Sequence, residues 1–314
     1  MYKIIIAFMC CLSSAYACDF CGCSPAVMNT DVLSLQPQSS VGTSVQYRNF
    51  KHLVSDANIK QTQIVTQSVY VSYAPKKWVD IRLSMPFTWM FNQYKVQDKN
   101  TPDLKEKKFG AGDLMLFSNF RVFSKPGLGK RKVGHIVNLG YGMSFPTGSK
   151  KTSTNVWLQD FNFGTQMIAF YFSGTYSLSV KNWSLVNSAL VKINLLNKNE
   201  VRYGNMYSYQ IAANYTHFFK QIAITPIIGV RTDYSQHNIS NNIIQSKSGG
   251  WSMSANIGIQ CTIKEFAFNV SVSQPMVQKI SGGNIQEKTG FNCLARYNIK
   301  IKPKVKITVP EKTN

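Results

Sequence analysis

After its first residues, the chain lacks any apolar run close to the roughly 18 residues that a transmembrane helix requires. The apolar stretch 4–12 follows Met1-Tyr2-Lys3 and precedes Ala15-Tyr16-Ala17. A basic start, a short apolar segment and an A-x-A site are typical of a secretory signal, so we expect residues 1–17 to be removed. Anchoring by a membrane helix is therefore excluded, and the mature chain is expected outside the cytoplasm.

Acidic residues are scarce, since 14 Asp and Glu stand against 35 Lys and Arg, and the formal net charge is +21. Such a balance can indicate nucleic-acid binding, but the basic residues are spread over many expected turns rather than collected on one element. We therefore expect no nucleic-acid partner. Contact with anionic lipid head groups, or attraction of anionic solutes, fits the charge better.

Motifs for catalysis are missing. The chain has no H-E-x-x-H, H-x-x-x-H or G-x-S-x-G sequence, and no spacing favours a Ser-His-Asp triad. Its four histidines are read as solvated or interfacial side chains; they are His52, His135, His217 and His237. We expect no enzyme activity and no catalytic residue.

Cysteines are few and unevenly placed, with Cys18, Cys21 and Cys23 crowded at the expected mature N-terminus and Cys261 and Cys293 alone in strand-like segments. The mature count is odd, so one thiol must be free, metal-bound or joined to another molecule. The C-x-x-C-x-C spacing suits a soft ion such as Cu(I) or Zn(II).

In an oxidising compartment the same cysteines suit a disulfide plus one spare thiol, and both interpretations stay open. Acylation of Cys18 after cleavage is a further alternative, although Ala15 and Tyr16 suit a lipobox poorly. No C-x-x-C-H occurs, so covalent haem attachment lacks its histidine. No other cofactor is expected.

Residues 109–145 carry the strongest periodicity. In 132–145, apolar Val137, Leu139 and Tyr141 alternate with Asn138 and Gly140. This period-two pattern predicts β-structure, and it runs longer than strands of soluble proteins usually do. One face carries apolar side chains with aromatics at its edges, and the other carries small and polar side chains. A barrel with lipid outside and water inside requires this arrangement.

About twelve strand-like segments recur after a polar, Cys-rich lead-in at 18–39. They lie near 40–50, 60–73, 77–94, 111–123, 132–145, 161–178, 182–195, 202–218, 221–235, 251–263, 266–276 and 290–301. Their connections alternate between tight and long. This alternation is typical of an outer-membrane barrel, whereas a β-sandwich does not require it.

The prediction is an all-β, closed antiparallel transmembrane β-barrel over 40–301, followed by a basic tail at 302–314. An even strand count places both termini in the periplasm, and aromatics near strand ends, such as Trp183 and Tyr297, suit an interfacial girdle. The predicted location is the outer membrane of a Gram-negative bacterium. Lipid and the barrel-assembly machinery are then expected partners.

Alternation also assigns charged side chains to the lumen, where they either neutralise one another or set which solutes enter. The candidate selectivity residues are Asp80, Arg82, Asp113, Arg121, Lys192, Arg231, Asp233 and Arg296. Gly110 and Gly112 before Asp113 could suggest a phosphate loop, but no helix follows. A bend at the lumen mouth is the preferred interpretation.

The sequence Phe109-Gly-Ala-Gly-Asp113, an amphipathic strand and then Pro146-Thr-Gly148 resembles the outer-membrane barrels grouped as meta-pathway phenol-degradation proteins. The opening Cys18-Asp-Phe-Cys21-Gly-Cys23, with Leu35-Gln-Pro-Gln38 and Gln46-Tyr-Arg48 downstream, is similar to a transporter-labelled subgroup with a Cys-rich N-terminus. The resemblance implies a barrel for uptake of small, often aromatic or apolar, molecules. It brings no catalytic residues.

The sequence therefore favours two functions. The first is a channel or transporter for passive passage of small molecules, without a nucleotide or ion-coupled engine. The second is a metal-binding or structural outer-membrane barrel that uses the N-terminal cysteines.

Overall fold

The structure, a computed structural model, describes residues 37–53, 59–94, 104–125, 133–149, 163–165, 167–195 and 201–299. The predicted signal, nearly all of the lead-in and the basic tail lie outside the described residues, as do Cys18, Cys21 and Cys23. Among the described residues no helix is long and apolar enough to cross a membrane.

The described chain forms 18 β-strands and one short 3-10 turn at Ser281–Gly283. The strands are β1 (Ser40–His52), β2 (Ile59–Lys76), β3 (Val79–Tyr94), β4 (Leu104–Ala111), β5 (Leu114–Lys125), β6 (Val133–Phe145), β7 (Ala169–Val180), β8 (Trp183–Asn194), β9 (Val201–Arg202), β10 (Met206–Tyr215), β11 (His217–Phe219), β12 (Ile222–Ser235), β13 (Ile239–Ser240), β14 (Ile243–Ile244), β15 (Gly250–Ile263), β16 (Phe266–Ile280), β17 (Ile285–Glu287) and β18 (Gly290–Asn298).

Neighbouring segments join into a closed antiparallel barrel of twelve strands, which confirms the predicted fold class. β4 with β5, β10 with β11, and β17 with β18 each make one barrel strand. β18 pairs with β1, from Ser40 opposite Asn298 to Tyr47 opposite Phe291. Closure leaves no unpaired barrel edge, so the backbone polar groups bond to one another and can be placed in lipid.

One rim carries the short connections, such as Lys77-Trp78, Lys181-Asn182 and Lys264-Glu265, and the other carries the long ones. The beginning of β1 and the end of β18 lie at the short-turn rim, where the Asn298 amide donates to the Glu265 carbonyl. At the long-loop rim, β9, β13 and β14 form a small separate sheet. That the short-turn rim faces the periplasm stays a prediction.

Several strand boundaries differ from those predicted. Residues 104–108, expected in a loop, belong to β4, because β3 runs on to Tyr94 and offers this segment a partner. The strand expected from 161 begins only at Ala169. Phe163 and Met167 are instead buried apolar side chains of the β6–β7 connection. β16 continues to Ile280, past the expected end at 276.

Inward and outward faces alternate as the sequence predicts. On β3, Asp80, Arg82 and Ser84 are buried, while Ile81 and Leu83 between them are exposed. Exposed aromatics gather at the short-turn rim, including Trp78 beside Phe120 and Phe266 beside Tyr297. An apolar exterior with aromatic strand ends is the surface that a barrel presents to a bilayer and its interfaces.

Candidate functional site

The barrel interior is the candidate site, because charged and polar side chains face it from every side of the wall. Seven of the eight sequence-predicted residues project from the inward face of a barrel strand. Asp80, Arg82, Lys192 and Arg296 are buried, and Arg121, Arg231 and Asp233 are half-buried. Asp113 lies elsewhere, between β4 and β5.

Asp80 of β3 and Arg121 of β5 lie near each other on the wall formed by β3, β5 and β6. The Asn119 amide donates to both Asp80 carboxylate oxygens, at 3.0 and 3.2 Å. Arg121 stands opposite Asn138 of β6. This part of the lumen therefore combines opposite charges with amides.

Arg82 has a different environment. Its guanidinium carbon lies 4.7 Å from the centre of the Tyr70 ring, in the geometry of a cation–π contact. Tyr70 in turn lies across Gly42, where an added Cβ would be 2.5 Å from the tyrosine hydroxyl. Arg296 stands opposite Gly42 on the next strand. Glycine at this point of β1 is thus required by the tyrosine that supports Arg82.

On the facing wall, charges are paired. Arg231 and Asp233 project from the same face of β12, and an Arg231 Nη2 lies 2.8 Å from the Asp233 carboxylate. Lys192 of β8 is buried between Tyr171 and Met206, its register partners on β7 and β10. A partly buried ion pair of this kind holds two side chains in place and sets the local charge of the wall.

The sequence interpretation missed charged residues near the long-loop rim. Arg48 pairs with Glu287 at 2.7 Å, and its guanidinium lies over Phe50. Arg48 could have been found, because it continues the inward parity of Gly42, Ser44 and Gln46 on β1.

Glu106 could not have been found in that way, since its strand was expected to be a loop. It accepts from the Tyr94 hydroxyl at 2.6 Å and pairs with Lys108 at 3.0 Å. A chain of contacts extends from it through Asn92 and Thr62 to His52. This end of the lumen is therefore lined by a connected polar network.

Asp113 anchors the β6–β7 connection. Its carboxylate accepts from the Gly148 amide at 2.9 Å, from the Thr165 amide at 2.7 Å and from the Thr165 hydroxyl at 2.6 Å. The Thr147 hydroxyl accepts from the Leu114 amide at 2.8 Å. The Phe-Gly-Ala-Gly-Asp and Pro-Thr-Gly sequences thus meet in one structural unit.

That unit leads into an apolar layer inside the barrel. Phe163 packs over Gly110, where a Cβ would meet the ring at 2.5 Å, and it joins a buried cluster with other inward apolar side chains. The other members of this cluster are Phe50, Ile59, Ile64, Met90, Ile280 and Ile285. The interior is consequently narrowed by packed side chains towards the long-loop rim.

Buried amides on β10, β15 and β18 are weakly paired. Asn214, Gln260 and Asn292 are buried, and in the described part of the chain both polar side-chain atoms of Asn214 and Asn292, and Oε1 of Gln260, have no protein partner. Buried amides are rarely left unsatisfied, so water is the natural partner here. These polar positions fit the predicted water-facing side of the barrel wall.

Cys261 and Cys293 are free thiols, and both lie on outward-facing positions of the wall. Among the residues that the structure describes, no group of three or more His, Cys, Asp and Glu side chains could hold a metal ion. The predicted N-terminal set of Cys18, Cys21 and Cys23 lies outside the described residues.

No protein-family model and no curated protein matches the chain. Among solved structures it is similar to an outer-membrane channel from Pseudomonas putida F1, with 10% identity over 83% of this chain and 96% of that one, and a TM-score of 0.57. Two further barrels are less similar. The NanC porin has 9% identity over 82% of this chain and 100% of that one, with a TM-score of 0.45. The β domain of the Bordetella autotransporter BrkA has 8% identity over 83% and 100% of the two chains, with a TM-score of 0.47. The likeness to the first establishes the fold alone: the chain is built as an outer-membrane β-barrel.

Proposed function

We propose that the barrel is a passive outer-membrane channel for small molecules, aromatic and apolar ones among them. The observation that carries the proposal is a set of buried lumen-side amides, Asn214, Gln260 and Asn292, with polar atoms that have no partner among the described residues, inside a barrel whose exterior is apolar. An interior evolved only as a plug would be expected to satisfy these groups within the protein. Similarity in fold to an outer-membrane channel supports the same proposal.

Selectivity is proposed to rest on the inward charges. Arg231 with Asp233 and Arg48 with Glu287 neutralise each other locally, whereas Arg82 adds a positive charge. Lys192, Arg121 and Arg296 also face inward and outnumber the remaining inward acid of the predicted set, Asp80, so the interior is expected to favour anions. The apolar layer around Phe163 makes the path narrow, so conductance should be small.

Planar-bilayer recording of the purified full chain tests the proposal. We expect discrete single-channel steps and, under a KCl gradient, a reversal potential of the sign that anion preference gives. Liposome swelling with small neutral and anionic solutes is the second readout. A folded barrel that neither conducts nor admits solutes would refute the channel.

The cysteine cluster supports the second candidate, a metal-binding or structural barrel. Cys18, Cys21 and Cys23 have the spacing for a soft ion, and the described cysteines, Cys261 and Cys293, lie on the outward face of the barrel. Metal stoichiometry of the purified chain should then fall to zero in Cys21→Ser/Cys23→Ser. Conductance that survives this double substitution would separate the two functions. We propose no catalytic activity for either.

A further inference from the structure

Arg82 is a buried cation for which the described chain supplies no counter-ion. Its residue is 6% exposed, and its Nε has no hydrogen-bond partner. The contact with the Tyr70 ring is a cation–π contact, without a carboxylate. By contrast, Arg48 and Arg231 lie 2.7 and 2.8 Å from acidic side chains.

A second unsatisfied group stands next to it. Ser84 is two residues along β3, on the same inward face, and its Oγ is buried without a partner among the described residues. A guanidinium and a hydroxyl that both lack acceptors form a donor pair on one wall. Burial of a charge without a partner is unfavourable, so an acceptor from outside the described wall is expected to complete this pair.

On the β5 side, the surroundings of the donor pair are apolar. Phe117 stands opposite Arg82 and Met115 opposite Ser84 on β5, and both side chains are buried in a cluster with Tyr171 and Leu190. An inorganic oxyanion would supply a negative charge to the donors, but it has no apolar surface to bury against this cluster. An organic acid would place its carboxylate on the donors and its hydrocarbon body against Phe117 and Met115.

We propose that Arg82, Ser84 and the Tyr70 ring form a binding site for the carboxylate of a small apolar organic acid. The guanidinium and the hydroxyl donate to the carboxylate oxygens, and the β5 side chains contact the apolar body. The inference deepens the proposed function and rests on it, because it names the solute class that the lumen would pass.

The test is isothermal titration of the folded full chain in detergent with benzoate, benzyl alcohol and inorganic phosphate. Benzoate should bind, and the neutral alcohol and the phosphate should bind at least about tenfold more weakly. Arg82→Gln should weaken benzoate binding by about tenfold or more, and Ser84→Ala by about two- to tenfold. Arg82→Lys keeps the charge but loses the planar fork, so it should recover only part of the affinity.

Ser177→Ala is the matched control. Ser177 is likewise buried with an unpartnered hydroxyl, but it stands opposite Ile136 and Val186, away from Arg82. It should leave benzoate affinity unchanged. Each variant is first shown to be folded by its gel mobility without boiling.

The outcomes separate the two proposals. Benzoate binding that depends on Arg82 in a barrel that does not conduct would refute the channel and leave the site standing. A conducting barrel that does not bind benzoate, or binds it equally in wild type and Arg82→Gln, would refute the site. Phosphate bound as tightly as benzoate would also overturn the assignment to an apolar acid.

Discussion

Asp113 shows how one side chain can organise two distant sequence motifs. It follows the glycines of Phe109-Gly-Ala-Gly-Asp113, and its carboxylate accepts from groups 35 and 52 residues further along the chain. Gly148 and Gly164 allow the close approach, because a Cβ added to either residue would lie within 3 Å of Asp113 Oδ1. In this structure the two motifs therefore form a loop anchor.

Asp113→Asn should loosen the β6–β7 connection, because an amide NH2 would face the donors that the carboxylate now accepts. Loss of charge-assisted hydrogen bonds costs about 1.5–3 kcal/mol, so the open form should rise roughly tenfold or more. Trypsin cleavage after Lys150 and Lys151, which lie in this connection, measures the open fraction.

Asp233→Asn is the control for this prediction. It also removes the charge of an aspartate, but the partner of Asp233 is Arg231 of the same strand. Cleavage of the 146–168 connection should stay at the wild-type rate. Equal acceleration in both variants would show that lost charge, and not the anchor, loosens the loop.

Neighbouring strands of the barrel complement each other in side-chain size. Phe117 of β5 lies over Gly140 and Gly142 of β6, where added Cβ atoms would be 2.6 and 2.3 Å from the ring. The small residues of β6 thus serve a packing role inside the barrel in addition to keeping its inward face polar. Large and small inward residues on adjacent strands fill a narrow interior without strain.

Gly142→Ala should destabilise the barrel by about 1–3 kcal/mol, the usual cost of overpacking, because its Cβ would also lie 2.8 Å from the Leu116 carbonyl oxygen. Gly174→Ala on β7 is the matched control, since its Cβ would meet only Leu139 Cδ2 at 3.9 Å. Urea unfolding followed by tryptophan fluorescence measures both.

Combining Gly142→Ala with Phe117→Leu should restore part of the loss, since the smaller side chain frees the space. If Gly174→Ala destabilises as much as Gly142→Ala, then loss of glycine flexibility rather than contact with Phe117 is responsible.

At the scale of the whole molecule, closure decides which face meets lipid. Outward residues such as Ile257 and Ile259 of β15 are 62% and 50% exposed although they are strongly apolar. A water-soluble protein would not expose so many aliphatic and aromatic side chains in one belt. The same residues are well placed when the belt is covered by hydrocarbon.

Ile257→Arg should therefore destabilise the folded barrel in lipid vesicles by about 2–4 kcal/mol, as charged residues near the bilayer midplane do. Ile243→Arg is the control, because Ile243 is equally exposed, at 65%, but lies on β14 outside the barrel wall. Its effect should be close to zero. Similar losses for the two variants would place β15 outside the hydrocarbon layer.

The twelve-stranded barrel, the alternation of tight and long connections, and the inward position of Asp80 and Arg82 could all be predicted from sequence. Side-chain alternation is a local property of extended backbone. Because lipid lies outside the barrel and water inside, every strand has apolar residues on one face and polar residues on the other. The same reasoning would have placed Arg48 inside, had the parity of β1 been followed to its end.

Other features depend on contacts between segments that are distant in the chain. β4 forms because β3 extends far enough to pair with it, and Phe163 is buried because Asp113 fixes the loop on which it stands. The environment of Arg82 is likewise set by Tyr70 and by Gly42, on two other positions of the wall. Periodicity could assign each side chain to the inward or the outward face. Only closure of the barrel decided which inward side chains are neighbours, because strand register and not sequence spacing sets which residues lie side by side.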